Sequence, residues 1–298
     1  MRILQVIPKL GYGGAETGCY DLAHYLAEKD CKSYIITSGG QLLKFVRKEK
    51  VKVFRFPVQS KNPIIIIMNA FIISLIVLFY KIDIVHARSR APAWSCYLSC
   101  LMTRRKFVTT FHGTYSFNSF FKHFYNSIML KSKLIIAGSN FIFEHINDNY
   151  QKFINPKNKL MVVFRGINLD YYNSQNISET EKNKLLANWN LEVDTYKILL
   201  PGRLTNWKGH EKLIEALNIM SEDYTKTNFE GIILGSDQGR NVYRKKLLSL
   251  VERYNLSKKI KFIDHCREMP LAYSIADIVV SCSIKPEAFG RVAAEAQA

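Results

Sequence analysis

The sequence has 298 residues, 48% of them apolar and 22% charged, which excludes a disordered chain and allows two domains with separate cores. Its formal net charge is +17, and 24 lysines and arginines stand against 10 acidic residues in positions 1–180, a local excess of +14 that calls for an anionic partner such as a membrane surface, a nucleic acid or an acidic substrate. Six cysteines show neither a CxxC pair nor paired-histidine spacing, which argues against a disulfide framework or a zinc site.

The opening Arg2-Ile3-Leu4-Gln5-Val6-Ile7-Pro8 reads as a strand rather than a secretory leader, so a reducing cytoplasm is the expected setting. Strand-like runs at 2–8, 33–38, 51–56, 83–88, 106–111, 133–137 and 160–164 alternate with helix-period segments at 15–28, 64–80, 117–130 and 140–150. This alternation predicts a parallel sheet with helices on both faces, whose ligands sit beyond the carboxyl ends of the strands. Segment 64–80 is apolar except for Asn69 and Ser74. It is at the lower edge of the length that spans a bilayer, but it follows Pro63 and runs straight into a strand, so it is expected to be a packed helix, or one lying partly in a membrane surface.

The strand ends carry the chemistry. After the first strand, Gly11-Tyr12-Gly13-Gly14-Ala15-Glu16 lets the backbone approach a ligand where a helix begins, although it lacks the full G-x-G-x-x-G spacing. His86-Ala87-Arg88 and His112-Gly113-Thr114 end two further strands. The crossing Arg165-Gly166-Ile167-Asn168-Leu169-Asp170-Tyr171-Tyr172 precedes a polar stretch, 173–184, that reads as linker and solvated helix, with the domain boundary expected near 175.

In the second half, strands are expected at 197–201, 230–234, 260–263 and 277–282. The first leads into Gly202-Arg203-Leu204-Thr205-Asn206-Trp207-Lys208-Gly209, which brings two cations to one strand end. A turn-rich loop, Gly235-Ser236-Asp237-Gln238-Gly239, follows the second, and Asp264-His265-Cys266 follows the third. The fourth reads as a buried, β-branched strand leading to Pro286-Glu287-Ala288-Phe289-Gly290-Arg291-Val292-Ala293-Ala294-Glu295. Glu287 lies in a loop and Glu295 in the second turn of the following helix, where backward-tilting side chains let both carboxylates address one pocket. A surface loop entering an ordinary amphipathic helix is the alternative.

Together, Gly13-Gly14-Ala15-Glu16, the Gly-Arg…Lys-Gly element and the Glu287-x7-Glu295 pair resemble the retaining glycosyltransferases of family 4 (group 1), which have the two-domain GT-B architecture. The resemblance implies an α/β fold of two Rossmann-like doubly wound parallel-sheet domains: residues 1–175 on the acceptor side and 176–298 binding the nucleotide-sugar. It implies that Arg203 and Lys208 hold the donor diphosphate, with Gly13, Gly14, Phe289 and Gly290 offering backbone to the phosphates. Glu295 would hold the ribose, Glu287 and His112 would serve the transferred sugar, and the 264–266 loop with His265 and Cys266 would face the base. Arg88 is expected to meet an anionic acceptor. Two positions depart from the pattern: Arg165 stands where asparagine is usual, and His265-Cys266 where glycine is common.

No D-x-D triplet occurs, so neither a metal nor a separate cofactor is expected. The expected function is sugar transfer from a nucleotide-sugar to a hydroxyl acceptor, a lipid-linked or lipopolysaccharide-type glycan, at the cytoplasmic face of a membrane with peripheral contact to it. Nucleic acid is not an expected partner, because arginines and aromatics do not interleave on a strand face. Four strands in the second half, where such sheets have about six, lead to the expectation of an incomplete second domain. A non-catalytic remnant binding nucleotide or an anionic surface is the alternative function.

Overall fold

The computed structural model describes residues 1–115, 119–223, 227–237, 239, 241–266 and 268–298. Residues 117 and 118 of the expected 117–130 helix, and Gln238 of the turn-rich loop, lie outside the described residues. The chain divides into two compact units, Met1–Arg165 and Gly166–Ala298.

In the first unit, the described strands are β1 (Arg2–Val6), β2 (Lys32–Thr37), β3 (Val51–Arg55), β4 (Ile84–Ala87), β5 (Lys106–Phe111), β6 (Leu134–Ala137) and β7 (Lys159–Val162). They form one parallel sheet in the order β3-β2-β1-β4-β5-β6-β7. Covered on both faces, its central strands are buried in near-continuous runs rather than alternating ones, with Gln5, His86, Thr109 and Thr110 among the buried residues. On one face, Ile7, Leu10, Cys19, Ala23, Ile35, Leu42, Val46 and Val51 make a core beneath the Gly14–Glu28 helix. On the other face lie the helices Pro63–Phe79 and Arg90–Thr103, packed on each other. The second of these was not expected: Ser95, Cys96, Ser99 and Cys100 are buried but small or polar, so they leave no hydrophobic period to read.

In the second unit, β8 (Tyr196–Pro201), β9 (Phe229–Leu234), β10 (Ile260–Ile263) and β11 (Ile278–Val279) form a parallel sheet in the order β10-β9-β8-β11 among the described residues. Its core comprises Ile198, Leu200, Leu213, Ile214, Leu217 and Ile233 on one face, and Leu186, Leu199, Ile232 and Ala272 on the other. One expectation is corrected. The expected buried strand 277–282 is an edge strand of two residues, with Ile278 53% exposed, because β8 alone pairs with it. By compactness the units divide at Arg165/Gly166, against an expected boundary near 175, and the Leu169–Tyr172 turn packs on the Met269–Ser274 helix of the second unit, with Tyr172 and Tyr273 rings 6.0 Å apart.

Candidate active site

At the carboxyl end of β8, Gly202 and the exposed Arg203 lead into a short 3-10 turn, Asn206–Lys208. The turn closes on Gly209 at φ +73°, a left-handed conformation that glycine adopts without strain, and a Cβ there would lie 1.9 Å from the Cys282 carbonyl oxygen. The turn therefore rests directly on the loop after β11, and the Ile284 N–H donates to the Trp207 carbonyl at 2.9 Å. This clamp brings Lys208 Nζ to 2.5 Å from Glu287 Oε1, with Ser283 Oγ donating to the same oxygen at 2.5 Å. Both side chains are largely withdrawn from water, 16% and 24% exposed, and the Lys208 ammonium sits 4.6 Å from the centroid of the Trp207 ring. A cation on the expected phosphate site and a carboxylate on the expected sugar site are thus one ion pair.

Glu295 has a separate set of partners. Its Oε1 accepts from Arg291 Nε at 2.8 Å and its Oε2 from the Tyr273 hydroxyl at 2.8 Å, with Tyr172 approaching the same carboxylate. Burial first, and the Glu295 charge second, push both tyrosine hydroxyls well up, so they stay protonated donors. The structure thus brings Lys208 to Glu287 but gives the two signature glutamates different neighbours. Gly290 caps the Arg291–Gln297 helix in the left-handed conformation, with Phe289 half-buried beside it. In the loop after β10, His265 is exposed, Cys266 Sγ donates to the Glu268 carbonyl at 3.3 Å, and Asp264 pairs with Arg244.

In the first unit, Gly13 is the N-cap of the Gly14–Glu28 helix. The Glu16 side chain folds back onto it: a Cβ on Gly13 would meet Glu16 Oε2 at 2.3 Å. A carboxylate of the chain itself thus lies at the helix N-terminus, where negative charge is favoured. At the end of β5, His112 Nδ1 accepts a hydrogen bond from Arg165 Nη2. A guanidinium only donates, so Nδ1 is the unprotonated nitrogen and the proton resides on Nε2. That atom is buried with no hydrogen-bond partner among the described residues. Burial first, then the charges of Arg88, Arg165 and His86, hold His112 well below the usual histidine range, so the ring is neutral.

Arg88 ends β4 as expected but is only 7% exposed, with Nη1 donating to Gln5 Oε1 at 3.0 Å. Its Nε is buried with no hydrogen-bond partner among the described residues. Of the partners that sequence reasoning missed, Tyr273, Tyr172 and Arg165 as a ligand of His112 come from segments distant from the residues they bind, whereas Ser283 lies four residues before Glu287. Of these only Arg165 carried a signal, as a departure from the expected asparagine. Among the described residues, no group of three or more His, Cys, Asp and Glu side chains is placed to hold a metal ion.

Two parallel-sheet units with polar loops at the carboxyl ends of their strands define a pair of Rossmann-like, doubly wound α/β units. The profile described as Glycosyltransferase Family 4 matches residues 12–171, and that described as Glycosyl transferases group 1 matches residues 181–298. A glycosyltransferase structure from Rickettsia africae ESF-5 superposes with a TM-score of 0.86 at 39% identity, covering 99% of this chain and 76% of that one. Anabaena HepE in complex with UDP-glucose shares the fold, with a TM-score of 0.80 at 20% identity over 99% of this chain and 78% of that one. The D-inositol 3-phosphate glycosyltransferase of Corynebacterium glutamicum (strain R) is 29% identical over 52% of this chain, a stretch spanning 37% of that protein's length. The chain belongs to Glycosyltransferase Family 4, with a GT-B fold.

Proposed function

We propose that the chain transfers a sugar from a nucleotide-sugar donor to a hydroxyl of a lipid-linked or other cell-envelope glycan, with retention of anomeric configuration. The observation that carries this is the Lys208–Glu287 pair at the carboxyl ends of β8 and β11, with Arg203 at the same edge. A nucleotide diphosphate leaves with added negative charge, and fixed cations in a largely dry site stabilise it. In this proposal the diphosphate competes with Glu287 for the Lys208 ammonium, and Arg203 supplies the second cation. Glu287, partly released, then accepts from the hydroxyls of the transferred sugar while Ser283 keeps one of its oxygens in place.

Glu295 would accept from the ribose on lone pairs that Arg291 and Tyr273 leave over, since a carboxylate takes about four hydrogen bonds. Gly13, Gly14, Phe289 and Gly290 would offer backbone to the phosphates, with the Glu16 carboxylate displaced from Gly13. His112 would donate from Nε2 to a sugar oxygen, and the 264–266 loop would face the base. Arg88, being buried, would contribute fixed positive charge rather than a direct contact with the acceptor. The site needs no metal in this scheme.

The test is release of nucleotide diphosphate from a panel of UDP-, GDP- and ADP-sugars, with UDP-glucose, the ligand of the HepE neighbour, tried first. Arg203→Ala and Lys208→Ala are each expected to lower kcat by about 100-fold or more, the scale of losing one donor to a developing anion. Turnover unaffected by either substitution, or no turnover by a chain shown to be folded, would overturn the proposal.

A further inference from the structure

We propose that the Pro63–Phe79 helix seats the chain on an anionic lipid surface, lying in the interface with its outer face among the lipids. This deepens the reading of a membrane-borne acceptor, on which its purpose, though not its physical basis, rests. A surface helix ordinarily turns polar residues to water and apolar ones to the core. Here the polarity is reversed. The helix has two polar residues, and both are buried and hydrogen-bonded: Asn69 Nδ2 donates to the Pro57 carbonyl at 3.1 Å, and Ser74 Oγ donates to the Ala70 carbonyl at 2.8 Å and lies 3.1 Å from Ser99 Oγ. Meanwhile Ile64, Ile67, Phe71, Leu75 and Leu78, spaced by three and four residues on one face, are 77%, 51%, 59%, 68% and 55% exposed. The neighbouring Arg90–Thr103 helix adds exposed Leu101 and Met102. A contiguous apolar face of this kind marks an interaction site.

The surrounding charge selects the occupant. Exposed Lys61 and Lys81 bracket the helix, and exposed Arg104, Arg105 and Lys106 follow its neighbour, where they line a cavity of about 350 Å³ shared with Met1 and Asp83. A second copy of the chain would present the same cations to these, like against like across a self-complementary interface. Anionic headgroups neutralise them instead. The helix lies in the surface rather than crossing it: seventeen residues give about 25 Å, short of the roughly 30 Å hydrocarbon core, and no helix among the described residues is long and apolar enough to cross a membrane. Because it connects the carboxyl end of β3 to the amino end of β4, the helix starts at the ligand-binding edge of its unit, which would bring that edge next to the lipid.

Flotation with phosphatidylcholine vesicles, with and without phosphatidylglycerol, tests this. The chain is expected to float with the anionic vesicles, less so in high salt. Removing two cations in Arg105→Ala/Lys106→Ala is expected to weaken binding about fivefold per charge. Ile67→Gln/Phe71→Gln/Leu75→Gln is expected to abolish flotation while leaving circular dichroism, Tm and nucleotide diphosphate release unchanged, so that docking and transfer fail separately. A Phe71→Trp probe should shift to the blue on anionic vesicles. The proposal is overturned by a folded chain that does not float, by flotation that the glutamine variant retains, or by a dimer that the glutamine variant dissolves without any vesicle binding.

Discussion

The proton on His112 is placed by Arg165, and the consequence can be measured. Arg165 lies across Gly138, its Nε 3.4 Å from where a Cβ there would stand, and its Nη2 holds His112 Nδ1 as an acceptor. Imidazole nitrogen shifts are therefore expected to show the Nε2–H tautomer at pH 7, persisting well below pH 6.5 since burial and the charges of Arg88, Arg165 and His86 all oppose protonation. Arg165→Met should let the tautomers mix and move the histidine toward its ordinary range, and an Nδ1–H signal in the unaltered protein would refute the assignment. Gly209 is the other residue on which much depends. Gly209→Ala forces a side chain into a left-handed conformation and onto the Cys282 carbonyl, so a loss of about 1–3 kcal/mol is expected in urea unfolding, along with weaker donor binding.

At the scale of the element, the Pro63–Phe79 helix separates burial from hydrophobicity. Ile73, 1% exposed, and Leu75, 68% exposed, lie two residues apart. Ile73→Ala should cost about 2–5 kcal/mol, whereas Leu75→Ala should change stability by less than about 0.5 kcal/mol, and equal losses would mean that something covers the outer face in solution. The Glu179–Asn188 helix has a full capping box between Ser178 and Glu181, so Ser178→Ala should cost about 1 kcal/mol. In the sequence, 173–184 reads as linker and solvated helix, and its few apolar residues leave the helix bounds unmarked. Strands buried on both faces were the most legible elements, since burial itself writes the apolar run. The short edge strand β11 and the Arg90–Thr103 helix were not, because pairing on one side and small buried side chains leave no such trace. In the candidate site, motif residues such as Lys208 and Glu287 stand out in the sequence by their positions after strands, but their partners do not. The bonds from Tyr273 to Glu295 and from Arg165 to His112 join positions 22 and 53 residues apart, and neither sits in a periodic pattern.

At the scale of the whole molecule, buried histidines link stability to acidity. Burial lowers His86 to about 3 and His210 to about 4, and it lowers His112 as well. Between pH 6.5 and those values the unfolded chain binds protons that the native chain refuses, so stability falls as the pH falls through that window, by up to about 1.4 kcal/mol per pH unit for each histidine. Urea midpoints at pH 7 and pH 5 should show the loss, and His86→Gln should lessen it; a midpoint that rises on acidification would contradict this account. The strand orders have a further consequence, which concerns synthesis. In both sheets the first strand made, β1 or β8, is an interior strand, and each later strand joins a neighbour already present: β2 on β1, β3 on β2, then β4 on the other side of β1 and onward to β7, with β9, β10 and β11 repeating the plan around β8. Nothing has to wait for a strand not yet translated. Each sheet can accrete outward as the ribosome delivers it, so unpaired edges are exposed only briefly while the chain is growing.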